Sequence, residues 1–110
     1  MKIISGSLSG RRIKSPKGKI TRPTSSRAKE SLFNFLTHGL NLNLNQSQVL
    51  DLFAGSGALG IESLSRGAEF CSFVDNEINS IMAIRENLAN LGLERQAYVK
   101  KCDATKINFK

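Results

Sequence analysis

The most informative segment of the sequence is Asp51-Leu52-Phe53-Ala54-Gly55-Ser56-Gly57-Ala58-Leu59-Gly60. Its first half has the apolar character of a buried strand, and its second half begins a helix. Gly55, Gly57 and Gly60 follow the spacing G-x-G-x-x-G, in which glycines permit a sharp turn and let a ligand lie against the main chain. Asp75 follows Gly55 by 20 residues, at the distance of the ribose-binding carboxylate in dinucleotide sites. The stretch therefore predicts a strand, a ligand-binding turn and a helix, without selecting the ligand.

Strand and helix signals alternate through the rest of the chain. Strands are predicted over 49–53, 70–74 and 98–102, and helices over 58–66 and 77–91. A β-α-β-α-β order predicts a parallel sheet with right-handed crossovers and helices on its faces. The predicted fold class is therefore α/β, with three strands and two helices of a Rossmann-like sheet.

The segment before the sheet has a different pattern. Short alternating stretches near 2–8 and 11–15 predict a β-hairpin, and apolar positions after Pro23 predict a helix that ends near His38. We divide the chain accordingly into a basic hairpin and helix, residues 1–40, and the sheet portion, residues 41–110.

Positive charge is concentrated in the same N-terminal segment. The chain has 110 residues and a formal net charge of +7. Residues 1–37 contain nine basic side chains and one acidic side chain, whereas the remainder contains seven and eight. Such an asymmetry predicts a surface for the phosphates of nucleic acid or of an anionic membrane. We favour nucleic acid over a solvated basic face or a targeting peptide, because glycines and prolines would repeatedly interrupt a targeting helix.

The composition disfavours several other classes of protein. The longest aliphatic run, Ile81 to Ile84, has four residues, against the roughly 18 that a membrane-spanning helix needs. Cys71, Cys102 and a single histidine provide no metal-ligand spacing. We therefore expect a cytoplasmic protein with reduced cysteines, without a metal and without a membrane partner.

Asp51 bears on the choice of ligand that the glycine spacing leaves open. The strand before a dinucleotide pyrophosphate is normally apolar, because a carboxylate there would repel the phosphates. A carboxylate four residues before the first glycine instead suits an ammonium group, such as that of S-adenosylmethionine. Asp75 then suits the ribose hydroxyls and Asp103 the adenine amine, since all three acids fall at the carboxyl edge of the predicted sheet. A fragment of a dinucleotide-dependent oxidoreductase remains an alternative.

Several short motifs together resemble a known family. They are Arg22-Pro23-Thr24-Ser25-Ser26-Arg27 with Leu32-Phe33-Asn34, the 51–60 turn, Ser65-Arg66-Gly67-Ala68, Arg85-Glu86-Asn87-Leu88 and Cys102-Asp103-Ala104. With Lys2-Ile3-Ile4-Ser5-Gly6 and Gly10-Arg11, they make essentially the whole chain resemble the RsmD family. That family comprises bacterial methyltransferases that modify a guanine N2 in 16S ribosomal RNA, with S-adenosylmethionine as cofactor.

The resemblance implies roles for individual positions. The cofactor would be bound by Thr24, Asp51, Phe53, Gly55, Gly57, Asp75, Asp103 and Ala104. Asp51 and the glycines would surround the methionine part, Asp75 would hold the ribose, and Asp103 with Ala104 would meet the adenine. The phosphates of 16S rRNA, free or in the small ribosomal subunit, would be contacted by Arg11, Arg12, Lys14, Arg22 and Arg27.

The sequence departs from the family pattern in one respect. Amino-methyltransferases of this kind carry an Asn/Asp-Pro-Pro-Tyr/Phe motif after the fourth strand, whereas the only prolines here are Pro16 and Pro23. Because that motif positions the target amine, we assign no catalytic residue and expect these residues alone to be inactive. The family's strand order places the fourth strand beside the first, so we also expect an exposed sheet edge at 49–53 that favours self-association.

The resemblance thus implies the N-terminal, cofactor-binding portion of an rRNA guanine-N2 methyltransferase. A non-catalytic RNA-binding remnant that no longer holds the cofactor is the alternative.

Overall fold

In a computed structural model, the chain forms a three-stranded parallel sheet with helices between its strands. The structure describes residues 1–16, 26–52, 54–103 and 105. The strands are β1 (Gln48–Leu52), β2 (Phe70–Asp75) and β3 (Ala97–Lys101), and the helices are α1 (Ser26–Asn34), α2 (Ala58–Ser65) and α3 (Ile78–Leu91). A π-helical turn, Phe35–Gly39, extends α1, and a 3-10 turn, Glu94–Gln96, precedes β3. The predicted α/β class is confirmed, and each predicted strand and helix of the sheet is present with slightly shifted ends.

The strands lie in the order β1-β2-β3, and both neighbouring pairs are parallel. Helices α2 and α3 form the two crossovers, as the alternation of signals predicts. One row across the sheet consists of Leu50, Ser72 and Tyr98, in which Leu50 and Tyr98 are 48% and 54% exposed. This row is therefore open to solvent. In the order β1-β2-β3, β1 is an edge strand of the described sheet.

Helices α2 and α3 pack on the opposite face, against Cys71 and Phe73 of β2. These two side chains are fully buried in a core that also contains Ile61 of α2 and Ile84 of α3. Gly60 permits the close approach, because a Cβ atom there would lie 2.4 Å from the Phe73 ring. The packing fixes the start of α2, and therefore the turn that precedes it.

Residues 1–16, here termed the arm, form a short hairpin, in which the N–H groups of Ile3, Gly10 and Ile13 donate to the carbonyl oxygens of Arg11, Ile3 and Met1. Lys2 and Arg12 form a single antiparallel bridge, so the two predicted hairpin strands are wrong in extent. The pairing ends early because the N–H groups of Ile4, Ser5 and Leu8 donate to side chains of α2 instead of to the other half of the arm. Ile3 and Ile13 of the arm nevertheless belong to the same core as the sheet and its helices.

Glu62 of α2 is the side chain on which the arm and α1 converge. It is fully buried, and its carboxylate accepts the N–H groups of Ile4 and Ser5 at 2.9 and 3.1 Å. Its Oε1 atom lies 3.2 Å from Nζ of the buried Lys29, and its Oε2 atom lies 2.9 Å from Nε of Arg66. Burial alone would raise the pKa of Glu62, but these hydrogen bonds hold it below its ordinary value. One carboxylate thus joins the arm, α1 and α2.

Candidate functional site

Three carboxylates lie at the carboxyl edge of the sheet. Asp51 is the next-to-last residue of β1, Asp75 ends β2, and Asp103 comes just after β3. Because the strands are parallel, these positions share one edge, where open α/β sheets bind their ligands. Helix α2 begins at the same edge, directly after Gly57. The structure therefore brings the three predicted acids to the edge that holds the glycine turn.

Asp51 is a buried carboxylate with few compensating contacts. Its Oδ2 atom accepts the N–H of Gly60 at 3.1 Å. Burial raises the pKa of Asp51 to about 6, the hydrogen bond from Gly60 opposes this shift, and the charge of Asp75 adds to it. A buried negative charge in this situation favours a cationic group on a ligand.

Asp75 organises the glycine turn. Its Oδ2 atom accepts the N–H of Gly55 at 3.0 Å, and its Oδ1 atom accepts the N–H of Glu77 at 2.9 Å. A carboxylate offers about four acceptor positions, so both oxygens retain capacity for ligand hydroxyls. Gly55 has a φ of +60°, and a Cβ atom there would meet none of the described residues within 4 Å, so this part of the structure leaves open space beside its backbone. Gly57 has a φ of +83°, a left-handed conformation that glycine adopts without strain.

Asp103 is the most accessible of the three acids. Its Oδ1 atom accepts the hydroxyl of Thr105 at 2.7 Å and the N–H of the same residue at 2.9 Å, and these bonds lower its pKa. The carboxylate therefore stays ionised beside the end of β3. The remaining predicted site residues lie outside the described part of the chain: Thr24, Phe53 and Ala104 for the cofactor, and Arg22 for RNA.

The other cations predicted to contact RNA are all exposed: Arg11, Arg12, Lys14 and Arg27. Two of them also contact α3. Nη2 of Arg11 donates to the carbonyl oxygen of Asn90 at 3.0 Å, and Nζ of Lys14 lies 2.6 Å from Oε1 of Glu86. Lys29, which contributes to the basic charge of the N-terminal segment, is instead fully buried and paired. It is therefore unavailable to phosphates.

Asn87 is a residue of this region that the sequence patterns did not single out for a role. It lies on the buried face of α3, between Ile84 and Leu88. Its Oδ1 atom accepts the N–H of Lys14 at 2.8 Å, and its Nδ2 atom donates to the carbonyl oxygens of Lys14 and Ser56, each at 2.9 Å. The sequence contains one indication of this role, which is a polar amide within the apolar stripe of α3, since a buried polar group requires hydrogen-bond partners. Asn87 thus joins the arm to the glycine turn.

Two kinds of feature are not found in the described ranges. No three histidine, cysteine or acidic side chains come together there in a group that could hold a metal ion. Every helix in those ranges is too short or too polar to cross a lipid bilayer.

The chain is similar to known proteins over nearly its whole length. The family described as Conserved hypothetical protein 95 matches residues 1–109. A protein of Bacillus subtilis (strain 168) named "Putative rRNA methyltransferase YlbH" is 46% identical over 104 residues, which cover 94% of this chain and 54% of that protein. A protein of Escherichia coli (strain K12) named "Ribosomal RNA small subunit methyltransferase D" is 38% identical over 91 residues, which cover 83% of this chain and 44% of that protein.

A solved structure shares the fold. The Escherichia coli protein described as "Putative methyltransferase yhhF" superposes with a TM-score of 0.79 at 34% identity, covering 94% of this chain and 53% of that chain. The predicted Rossmann-like methyltransferase fold is thus confirmed, and the chain spans about half the length of these relatives. Because the family match covers almost every residue, the chain belongs to the RsmD family, the family described as Conserved hypothetical protein 95.

Proposed function

We propose that these residues form the cofactor-binding portion of an S-adenosylmethionine-dependent methyltransferase that modifies a guanine N2 in 16S rRNA. In this proposal the sheet portion, residues 41–110, holds the cofactor, and residues 1–40 face the RNA and cover the cofactor. The names of the relatives support rRNA methylation as the reaction. The observation that carries the proposal is the buried, under-compensated carboxylate of Asp51 beside an open glycine turn.

The residues at the carboxyl edge fit S-adenosylmethionine in charge and in shape. The ammonium of its methionine part would compensate the buried charge of Asp51. The open space beside Gly55 would admit the ligand against the backbone, and Asp75 would accept the ribose hydroxyls with its remaining lone pairs. Asp103, with Ala104, would face the adenine amine. Phe53 and Thr24 would complete the enclosure.

When bound, S-adenosylmethionine supplies a methyl group on a positively charged sulfur. The residues of this chain would bind and orient the cofactor, through charge at Asp51, backbone contact at Gly55 and Gly57, and hydrogen bonds at Asp75. These 110 residues contain no Asn/Asp-Pro-Pro-Tyr/Phe motif to hold the target amine. Since positioning of the amine provides much of the rate, we propose that they bind the cofactor and, alone, transfer no methyl groups.

The arm and the start of α1 would supply the contacts to RNA phosphates. The proposed contacts are Arg11, Arg12, Lys14, Arg22 and Arg27. Such contacts fix the orientation of a nucleic acid without selecting its sequence. The substrate would be 16S rRNA, free or in the small ribosomal subunit, and the protein would then act in the cytoplasm.

Thermal unfolding with S-adenosylhomocysteine, with NADH as the control ligand, tests the proposal. A ligand at a hundredfold excess over its dissociation constant adds about 2.7 kcal/mol, which raises the Tm by roughly 10 °C for a domain of this size. We expect this shift with S-adenosylhomocysteine only, and a much smaller one in Asp51→Asn. Glu69→Gln, which neutralises an exposed carboxylate away from the site, is the matched control. A shift with NADH alone would instead favour a dinucleotide site.

The exposed cations also support a second candidate, an RNA-binding remnant without cofactor. In that case RNA binding depends on salt, and a cooperative unfolding transition responds to neither ligand. The two candidates therefore differ in the effect of S-adenosylhomocysteine on the Tm, and not in RNA affinity.

A further inference from the structure

Asn87 connects two regions that the proposed function uses for different ligands. The glycine turn belongs to the proposed cofactor site, and the arm belongs to the proposed RNA surface. Between them, one side-chain amide bonds to both backbone groups of Lys14 and to the carbonyl oxygen of Ser56. The residue is 1% exposed, so these three bonds are shielded from solvent. Asn87 bonds directly to Lys14, which lies 73 residues away in the sequence, and to Ser56, which lies 31 residues away.

This bonding pattern requires a primary amide on a short stem. Asn87 uses its single acceptor and both of its donors, a combination that only asparagine offers at this length. Aspartate would keep the acceptor for the Lys14 N–H but would lose both donors. Leucine has a similar shape and would fit the apolar stripe of α3, but it would leave all three backbone groups unpaired. The amide is therefore specific to the connection between the arm and the turn.

Neighbouring residues of α3 hold the same part of the arm, but at the surface. Lys14 pairs with Glu86, and Arg11 donates to the carbonyl oxygen of Asn90. The ion pair is exposed, and exposed pairs contribute little to stability. The buried bonds of Asn87 are thus the contacts that fix the backbone of Lys14 relative to the glycine turn.

We propose that Asn87 is a positioning residue that couples ligand binding at the glycine turn to RNA binding on the arm. This inference rests on the proposed function. An S-adenosyl ligand that orders the turn fixes the carbonyl of Ser56, and Asn87 transmits this order to the backbone that carries Arg11, Arg12 and Lys14. Coupling between two binding sites is reciprocal, so RNA on the arm strengthens ligand binding at the turn by the same factor.

The test is the affinity for a short RNA duplex, measured with and without saturating S-adenosylhomocysteine. In the wild-type protein we expect RNA to bind at least about fivefold more tightly when the ligand is present. Asn87→Asp and Asn87→Leu should bring this ratio close to one while each protein still binds either ligand alone. Asn90→Asp makes the same chemical change on the exposed side of the same helix, and it should keep the wild-type ratio.

The possible outcomes separate this inference from the proposed function. A wild-type protein that binds both ligands with a ratio of one overturns the coupling and leaves the proposed function intact. A wild-type ratio that persists in Asn87→Asp overturns the role of Asn87. Failure of S-adenosylhomocysteine to bind the wild-type protein overturns the proposed function, and the coupling with it.

If the Asn87 variants do not fold, hydrogen exchange in the wild-type protein tests the coupling between the glycine turn and the arm. S-adenosylhomocysteine should slow exchange of the Lys14 amide, which donates to Asn87, more than exchange of the Ile13 amide, which donates to Met1 within the arm. Equal slowing at both amides would indicate general stabilisation and would contradict the coupling.

Discussion

Replacement of Asp51 by asparagine should stabilise the folded protein at neutral pH. Burial raises the pKa of Asp51 from 3.8 to about 6. A difference of about two pKa units, at about 1.4 kcal/mol per unit, means that the ionised side chain destabilises the fold by about 3 kcal/mol above pH 6. Asparagine carries no charge, and its amide oxygen can still accept the N–H of Gly60. For a chain of this size the expected increase in Tm is about 10 °C.

The pH dependence distinguishes this effect from a general improvement in packing. The folded state binds the Asp51 proton more tightly than the unfolded state, so this residue lowers wild-type stability as the pH rises from about 4 to about 6. Asp51→Asn lacks this titration, so its advantage should be about 1 kcal/mol near pH 4.5 and about 3 kcal/mol near pH 7.5.

Urea unfolding of the wild-type protein and of Asp51→Asn at these two pH values measures the difference between their free energies of unfolding. Glu69→Gln, on an exposed carboxylate, should change stability at neither pH. An advantage of Asp51→Asn that is absent near pH 7.5, or that is equal at both pH values, would show that ionisation of Asp51 does not destabilise the fold.

Three further predictions concern the arm, the buried cluster and the sheet edge. Simultaneous neutralisation of Arg11, Arg12 and Lys14 should lower the slope of log affinity for duplex RNA against log salt by about 3, and an unchanged slope would exclude phosphate contacts by the arm. Glu62→Gln should lower the free energy of unfolding in urea by about 3–5 kcal/mol at neutral pH, because Lys29 would keep a buried charge without its partner. The pKa of Glu62 is lowered, so the stabilisation by its carboxylate is present above pH 4.5 and is lost as the pH falls through the folded-state pKa. If Glu62→Gln lowered the free energy of unfolding equally at low and at neutral pH, the result would argue against the ion pair. Leu50→Lys, on the edge strand, should reduce any self-association in sedimentation measurements more than Leu42→Lys, which replaces an equally exposed leucine outside the sheet.

The strands and helices of the sheet could be predicted because their signals are local. Apolar runs mark the strands, and Gly67 and Gly92 follow the ends of α2 and α3 with φ of +112° and +70°. The common edge of Asp51, Asp75 and Asp103 follows from the parallel order alone, so their placement required no knowledge of side-chain contacts.

The connections between the arm and the rest of the fold depend on partners that are distant in sequence. Glu62 lies 58 residues from Ile4, and Asn87 lies 73 residues from Lys14. No local pattern distinguishes the buried Lys29 from the exposed Arg27 two residues before it. The extent of the hairpin was overestimated for the same reason, because α2 supplies acceptors that an alternating pattern does not reveal.

Backbone amide spectra recorded with and without S-adenosylhomocysteine show where the ligand binds. We expect the largest changes at Gly55, Gly57 and Gly60, around the start of α2. Gly6 and Gly67 line an open cleft at the other end of that helix, and their signals should change little. Changes centred on Gly6 and Gly67, or no changes at saturating ligand, would exclude the glycine turn as the cofactor site.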